Sequence, residues 1–266
     1  MSTISFTIIT CTYNAEATIG RTLQSVMSQQ WHAVEHLIVD GRSTDGTMTL
    51  VEEYRRENAA RDNGHRVTVV SEPDKGLYDA MNKALLMATG DFVEFLNAGD
   101  TFADSTSLTT MAGLIDRQGS PNVGIAYADT AIVDDAGAVL RLRRHQPPVH
   151  ATWRSFLGGM KICHQAFFAR RDLASQTPYD LSFRFSADYD WCIRLMKLCD
   201  DRSLAIVGTP QVAIHYLDGG MTNRNHRASL QERFRLMKRH YGALAAIGAH
   251  LWFVARAALF PKKWRY

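Results

Sequence analysis

The sequence predicts an α/β protein: a mostly parallel sheet flanked by helices, followed by a basic, amphipathic helical tail. Three observations carry this. Short β-branched or aromatic runs alternate with helical periodicity through the first hundred residues, the rhythm of right-handed crossovers onto a parallel sheet. Polar turns with a carboxylate close several of these runs, and the carboxyl ends of strands are where open α/β sheets hold ligands. From Arg233 to Tyr266 there are eight Lys or Arg and no Asp or Glu, so the tail is chemically distinct from the body.

The elements follow in order. Residues 5–11 are apolar and β-branched, a buried strand. From Ala17, the residues Ile19, Leu23, Val26 and Met27 recur at helical spacing. A second strand covers 36–39, and the turn Gly41-Arg42-Ser43-Thr44-Asp45-Gly46 offers Ser43 or Thr44 as cap for a helix using Met48, Val51 and Tyr54. A third strand covers 67–70. Leu77, Met81, Ala84, Leu85 and Ala88 form the core face of the next helix, and 92–96 is the fourth strand. After about residue 120 the rhythm changes. Strands are expected at 125–129 and 138–142 around Asp134-Asp135-Ala136-Gly137. Pro147-Pro148 breaks the chain, and further strands at 162–168 and 204–214 flank a helix at 188–198.

The 266 residues are 46% hydrophobic and 21% charged, ordinary globular composition. Cys11, Cys163, Cys192 and Cys199 show no paired metal spacing, which predicts reduced, buried thiols in a cytoplasmic protein. The opening Met1-Ser2-Thr3-Ile4-Ser5-Phe6 lacks a basic stretch followed by an apolar core, so no signal peptide is expected. Outside the tail there are 22 basic and 27 acidic residues. A basic tail on an acidic body calls for an anionic partner. The stretch 242–260 is apolar but interrupted by His250 and Arg256, and a central Arg is costly in a spanning helix. With Trp252, Phe253, Trp264 and flanking cations, residues 233–266 read as a helix on an anionic membrane surface, peripheral on the inner face of the cell membrane. A helix packed on the domain is the equal alternative, and no nucleic-acid partner is expected.

Several polar residues sit where chemistry is expected. Thr12-Tyr13-Asn14 opens the first helix, whose free N–H groups suit a diphosphate or a base edge; an ordinary cap by Asn14 is the plainer reading. Asp40 closes the second strand, where its carboxylate could accept from a nucleobase N–H or a ribose hydroxyl. Lys75 could meet phosphate or sugar, and Asp79 and Asn82 lie one turn apart on one helix face, where a solvated surface competes. Asn97-Ala98-Gly99-Asp100 follows the fourth strand. Asp100 with a substrate diphosphate could hold Mg²⁺ or Mn²⁺, against a helix-capping role. Asp188 and Asp190, at i and i+2, point in different directions. If Asp188 faces the cleft it could act as general base on an acceptor hydroxyl, and Asp190 is read as the salt-bridge partner of Arg194. His164 and Gln165 interrupt an apolar strand. His215 ends another and is the better ligand candidate, because the polar loop 216–223 after it could close over a nucleotide.

In this order the motifs resemble glycosyltransferase family 2, the inverting sugar transferases of GT-A fold. The matching residues are Thr12-Tyr13-Asn14 and Glu16, Val39-Asp40-Gly41 with Ser43 to Thr47, the run from Asp74 to Asn82, Ala88-Thr89-Gly90-Asp91, Phe95 to Asp100, His164-Gln165 and Ala187-Asp188-Tyr189-Asp190. The resemblance spans about residues 4–225 and points most to the branch that builds bacterial exopolysaccharides and mycobacterial glycolipids. It implies a GT-A catalytic domain over 1–225, with a nucleotide-sugar half at 1–120 and an acceptor half at 121–225, before the tail at 226–266. It implies a UDP-, GDP- or dTDP-sugar donor held among Thr12, Tyr13, Asn14, Glu16, Asp40, Lys75, Gly76, Asp79, Asn82, Asn97 and Gly99. A glycan or polyprenyl-diphosphate-linked acceptor would lie near His164 and Gln165, with Asp188 as base and Mn²⁺ or Mg²⁺ on Asp100 and His215. The transfer would be hexosyl or deoxyhexosyl. Asn97 and Gly99 stand where many relatives carry carboxylates, and Ala187 where a Glu often precedes the base. This thin metal turn makes a catalytically inactive nucleotide-sugar or glycan-binding module the alternative. A nucleotidyltransferase would show a Gly-rich basic loop after the first strand and a dehydrogenase the dinucleotide glycine fingerprint; Thr12-Tyr13-Asn14-Ala15 stands there instead.

Overall fold

Every residue of β1 (Phe6–Thr12) and β2 (Val34–Asp40) is buried, as expected of parallel strands covered on both faces. The computed structural model describes residues 3–219 and 226–259. The first half runs β1, α1 (Glu16–Met27), β2, α2 (Thr47–Ala59), β3 (His65–Ser71), α3 (Leu77–Met87), β4 (Phe92–Phe95), β5 (Thr101–Phe102) and α4 (Ser107–Asp116). The second half adds β6 (Val123–Val133), β7 (Val139–Leu142), β8 (Phe167–Arg170), α5 (Arg171–Ser175), α6 (Ala187–Asp201), β9 (Ala205–Leu217), α7 (His226–Tyr241) and α8 (Ala243–Leu259).

One sheet runs through both halves in the order β3-β2-β1-β4-β8-β6-β9-β5, with β7 beside β6. β1 to β4 pair in parallel. β8 then pairs antiparallel with both β4 and β6, while β6 and β9 are parallel, so the whole sheet is mixed. The chain winds outward from β1 to β3 and returns to β4 on the other side of β1. The crevice outside the carboxyl ends of β1 and β4 is thus the topological switch point.

Alternate side chains feed two layers. Ile9, Leu37 and Phe95 pack with Met81 and Leu85 of α3 and Trp191 and Leu195 of α6. On the other face, Phe6, Ile8 and Phe92 meet Leu108, Met111 and Ile115 of α4. Ile38 meets Ile19 and Leu23 of α1 and Val51 and Tyr54 of α2.

Three local expectations are corrected. Residues 162–168 are not one strand: His164–Ala166 form a 3₁₀ turn and β8 starts at Phe167, because His164 and Gln165 turn their polar groups toward the sheet's carboxyl end. Neither Ser43 nor Thr44 caps α2. The Ser43 hydroxyl donates to Asp40, and Asp45 Oδ1 accepts from Thr47 N (3.0 Å) where the helix starts. β5 and α4 are additions to the expected elements.

The described tail packs on the domain. Leu236, Met237 and Ala246 are buried in the core beside α6. Tyr241 stacks on Trp153 (centroids 5.5 Å apart) and donates its hydroxyl to the Trp153 carbonyl at 2.6 Å. The outer face of α8 stays in water: Leu244, Ile247, Leu251, Trp252, Val254 and Leu259 are exposed. Among the described residues no helix is long and apolar enough to cross a membrane. Residues 220–223 of the polar loop and Lys262, Lys263, Trp264 and Arg265 lie outside the described residues.

Candidate active site

The site is built from strand ends. Thr12 pairs in register with Asp40, which places β1 and β2 side by side at the sheet's carboxyl edge. Asp40 is fully buried and accepts from Ser43 N (3.1 Å), the Ser43 hydroxyl and the Ser71 hydroxyl (2.6 Å). The carboxylate therefore fixes the β2 turn. Beside it, the buried Thr12 Oγ1 has no hydrogen-bond partner, a costly state that a ligand polar group would relieve.

Asn14 and Glu16 tie the first two loops together. Asn14 adopts φ +48°, its N–H donates to the Ser43 hydroxyl at 2.8 Å, and its Oδ1 accepts from Thr44 N at 2.8 Å. Glu16 Oε2 accepts from Gly46 N (3.0 Å). Asn14 does not cap its own helix; the first N–H of α1, that of Glu16, donates to Asp45 Oδ2 at 3.1 Å. Tyr13 is 63% exposed between these loops, free to cover a ring.

At α3, Gly76 has φ +118° and ψ 173°, a region essentially reserved for glycine. This turn aims Lys75 N at Asp79 Oδ2 (3.0 Å), so Asp79 caps its own helix. Asn82 donates to the Tyr179 carbonyl (3.0 Å) and accepts from Tyr179 N (2.7 Å). Both ends of its amide are thereby committed to the segment that leads into α6.

The turn after β4 carries the densest polar network. Gly99 has φ +104°, and a Cβ there would lie 3.0 Å from Leu217 Cδ2. Asp100 is nearly buried, with Oδ1 accepting from Leu217 N and Oδ2 from Gln165 Nε2, both at 2.9 Å. Burial raises its carboxyl to about 6 against these hydrogen bonds and the pull of His164 and Arg21. Gln165, expected at the acceptor, is corrected by this contact: it is 2% exposed, accepts from the Cys163 thiol and orients Asp100. His215 stands opposite Thr101 on β9. Burial, then Arg21, depress its imidazole, with Asp104 opposing them, so the charges bearing on it are those of Arg21 and Asp104. Among the described residues no three His, Cys, Asp or Glu side chains converge to hold a metal. The expected pairing of His215 with Asp100 is a pair and not such a cluster: His215 lies opposite Thr101, two residues before Leu217, whose N–H donates to Asp100. A further oxygen at this turn is Asn97 Oδ1, which is buried without a hydrogen-bond partner. A carboxylate plus an orphaned amide oxygen suits a hard cation that completes its shell with water and phosphate oxygens.

Asn97 leads across the cleft. Its Nδ2 donates to His164 Nε2 at 3.4 Å, and His164 Nδ1 lies 3.4 Å from Asp188 Oδ2. Tyr78 donates its hydroxyl to Asp188 Oδ1 at 3.2 Å. Burial raises the Asp188 carboxyl, but hydrogen bonding and charge from His164, the Tyr189 N–H and Arg233 hold it below the ordinary value. It is therefore ionised at neutral pH and still partly open, its side chain 22% exposed. Asp190 takes its expected role, fully buried against Arg194 Nε (2.6 Å), and it also meets His240 Nε2 at 2.7 Å. Three contributors were not singled out in the sequence. Tyr78 was visible only as one letter of the run from Asp74 to Asn82. Arg233 and Glu232 come from α7, and Glu232 accepts from Arg184 N (2.9 Å) and Phe185 N (2.8 Å) just before α6.

Comparison with known proteins gives the family and the fold. Residues 7–176 match Glycosyl transferase family 2. A PGL/p-HBAD biosynthesis glycosyltransferase of Mycobacterium bovis is 31% identical over 198 residues, covering 73% of this chain and 70% of its own. The amylovoran biosynthesis glycosyltransferase AmsB of Erwinia amylovora is 31% identical over 205 residues, covering 74% and 66%. Among solved structures, S. aureus TarS 1–349 superposes with a TM-score of 0.68 at 17% identity, over 98% of this chain and 76% of that one. The mannosyltransferase PcManGT from Pyrobaculum calidifontis, in complex with GDP-Man and Mn²⁺, gives 0.61 at 18% identity over 97% and 76%. The fold is thus that of the GT-A glycosyltransferases.

Proposed function

The chain belongs to glycosyltransferase family 2, with relatives in glycolipid and polysaccharide biosynthesis, and from that premise we propose that it moves a sugar from a nucleotide-sugar donor to an acceptor hydroxyl by a single inverting displacement. The observation that carries this is Asp188: an ionised, partly open carboxylate at the helix start, aimed by Tyr78 and His164 and joined through Asn97 to the turn of Asp100. Asp188 takes the proton from the acceptor hydroxyl as that oxygen attacks the anomeric carbon. Tyr78 and His164 keep the carboxylate pointed at the attacking oxygen. The donor lies at the switch point, with Thr12 Oγ1 and Tyr13 near its base and the α3 turn with Lys75 near its diphosphate. Solved neighbours hold UDP-GlcNAc and GDP-Man, which supports a donor of this class. Asp100 and Asn97 would hold Mn²⁺ or Mg²⁺, which when bound supplies charge neutralisation to the departing nucleoside diphosphate.

The acceptor is proposed to be a glycan or a lipid-linked sugar met at the inner face of the membrane. Leu244, Ile247, Leu251 and Val254 make an exposed apolar stripe on α8 with Arg256 close by, the layout of a helix that lies in the headgroup region. Leu251→Glu with Val254→Glu should abolish flotation on anionic vesicles without unfolding the domain; unchanged flotation refutes membrane docking.

The function itself is tested with a panel of UDP-, GDP- and dTDP-sugars in Mn²⁺ or Mg²⁺, with lipid-linked acceptor, following release of nucleoside diphosphate and the anomer formed. Release from one donor with inversion, lost in Asp188→Asn, is expected. Tight donor binding with no release, acceptor present, would mark an inactive binding module.

A further inference from the structure

A second charged cluster lies where the segment after β7 meets the one leading into the His164 turn. Arg143, after β7, donates from Nη1 to the carbonyls of His145 (3.4 Å) and Lys161 (3.5 Å). This ties the segment after β7 to the one leading into the His164 turn. Gly158 and Gly159 let the two segments close: a Cβ on Gly158 would sit 3.0 Å from Lys161 Cε, and one on Gly159 3.6 Å from His145 Nε2. α8, which carries Arg256, packs against the 3₁₀ turn Trp153–Gly158 that ends beside Lys161. The charge of Arg256, with that of Arg143, draws down the Lys161 ammonium after burial has done so first. His145 is pushed down to about 4 by burial, then by Lys161, Arg143, Arg256 and Arg144, which leaves a neutral imidazole among four cations.

All five side chains are partly or fully exposed, and among the described residues neither Arg143 nor Lys161 forms an ion pair. The carboxylate that feels Arg143 is Asp129, on β6. Cys163, between Lys161 and His164 in the chain, donates its thiol to Gln165, which in turn holds Asp100, so the cluster borders the candidate pocket. Lys161 is three residues from His164, a span of at most about 10 Å of chain. A dianion arriving beside Arg143 and Lys161 would accept charge-assisted hydrogen bonds from both.

We propose that Arg143, Lys161 and Arg256, rimmed by Arg144 and His145, form a phosphate subsite that holds the phosphate or diphosphate of a phosphorylated acceptor while its hydroxyl reaches Asp188. The proposal rests on the glycosyltransferase reading for its role, but its binding test does not. Inorganic pyrophosphate is titrated calorimetrically into the full chain without divalent metal. Lys161→Gln with Arg256→Gln should weaken pyrophosphate at least tenfold and leave UDP and GDP affinity unchanged, whereas Lys75→Gln, on the donor side, should not weaken this site. Lys161→Arg, which keeps the charge, should retain binding and controls for misfolding. Equal pyrophosphate affinity in the double variant, or parallel loss of pyrophosphate and nucleotide, overturns the subsite. Flotation then identifies the source. Selective binding to phosphatidylcholine vesicles bearing a polyprenyl diphosphate, over phosphatidylglycerol vesicles of matched charge, and its loss in the double variant, assigns a lipid-linked phosphate. No preference, with pyrophosphate binding intact, assigns a soluble phosphorylated acceptor. Pyrophosphate binding without any sugar transfer would instead fail the enzymatic reading and leave the subsite standing.

Discussion

At the scale of single residues, the proposed chemistry turns on how Asp188 keeps its charge. Burial alone would push the carboxyl up, and His164 supplies the largest opposing effects. Asp188→Asn removes the proposed proton acceptor with little change of shape, so turnover should fall about 10²–10⁴-fold, the usual worth of a general base. Donor affinity by calorimetry should stay within twofold; a matching loss of donor binding would remove Asp188 from the base role. Because the wild-type carboxyl lies below the ordinary value of 3.8, protonation of Asp188 should not limit turnover between pH 5 and 7. His164→Ala deletes the opposing effects and leaves burial, so the carboxyl should rise and the acid limb of kcat should move upward toward neutral pH. A profile unchanged in that variant would mean that His164 does not set the base.

At the scale of elements, much of the site depends on how one segment pins another. Asn82 joins α3 to the irregular segment before α6 through two hydrogen bonds to Tyr179. Asn82→Ala should leave the Tyr179 backbone groups unpaired and cost about 1–3 kcal/mol of stability, read by urea unfolding, with donor affinity unchanged. A weakened donor and unchanged stability would return Asn82 to the ligand. The sequence made α1, α3 and β4 legible because their apolar residues repeat at 3.6 or 2 over whole elements, and it placed Asp100 and Asp188 because each stands at an element end. It hid the 3₁₀ turn at His164, since the partners that turn His164 and Gln165 inward, Asn97, Asp100 and Asp188, come from distant segments. β5 was hidden because two residues have no period. α4 was open to reading: Leu108, Met111, Ala112 and Ile115 repeat at helical spacing.

At the scale of the molecule, the tail completes the catalytic body. α7 caps the segment before α6 through Glu232 and closes over Asp190 with His240. Truncation at residue 226 should therefore expose Leu236 and Met237 positions in the core and abolish folding and transfer together, instead of only releasing a membrane anchor. A second whole-molecule property is stability against pH. His36 is fully buried between the Tyr54 hydroxyl (2.7 Å from Nδ1) and the Thr10 hydroxyl (3.0 Å from Nε2). Burial, with the charge of His65, pushes it down to about 3. Between that value and 6.5 the unfolded chain binds a proton that the folded chain refuses. The His36 contribution is therefore intact above pH 6.5 and is lost as pH falls, at up to about 1.4 kcal/mol per pH unit. Asp100 and Glu94, both raised by burial, act in the opposite sense in part of this window, so the net slope of the wild type is a difference. Comparison with His36→Gln isolates the histidine. The urea midpoint of the variant should fall less steeply from pH 6.5 to 4.5 than that of the wild type, whatever its absolute stability. Parallel slopes would mean that His36 is protonated in the folded protein, and that the Tyr54–His36–Thr10 chain holds a cation at the heart of the sheet.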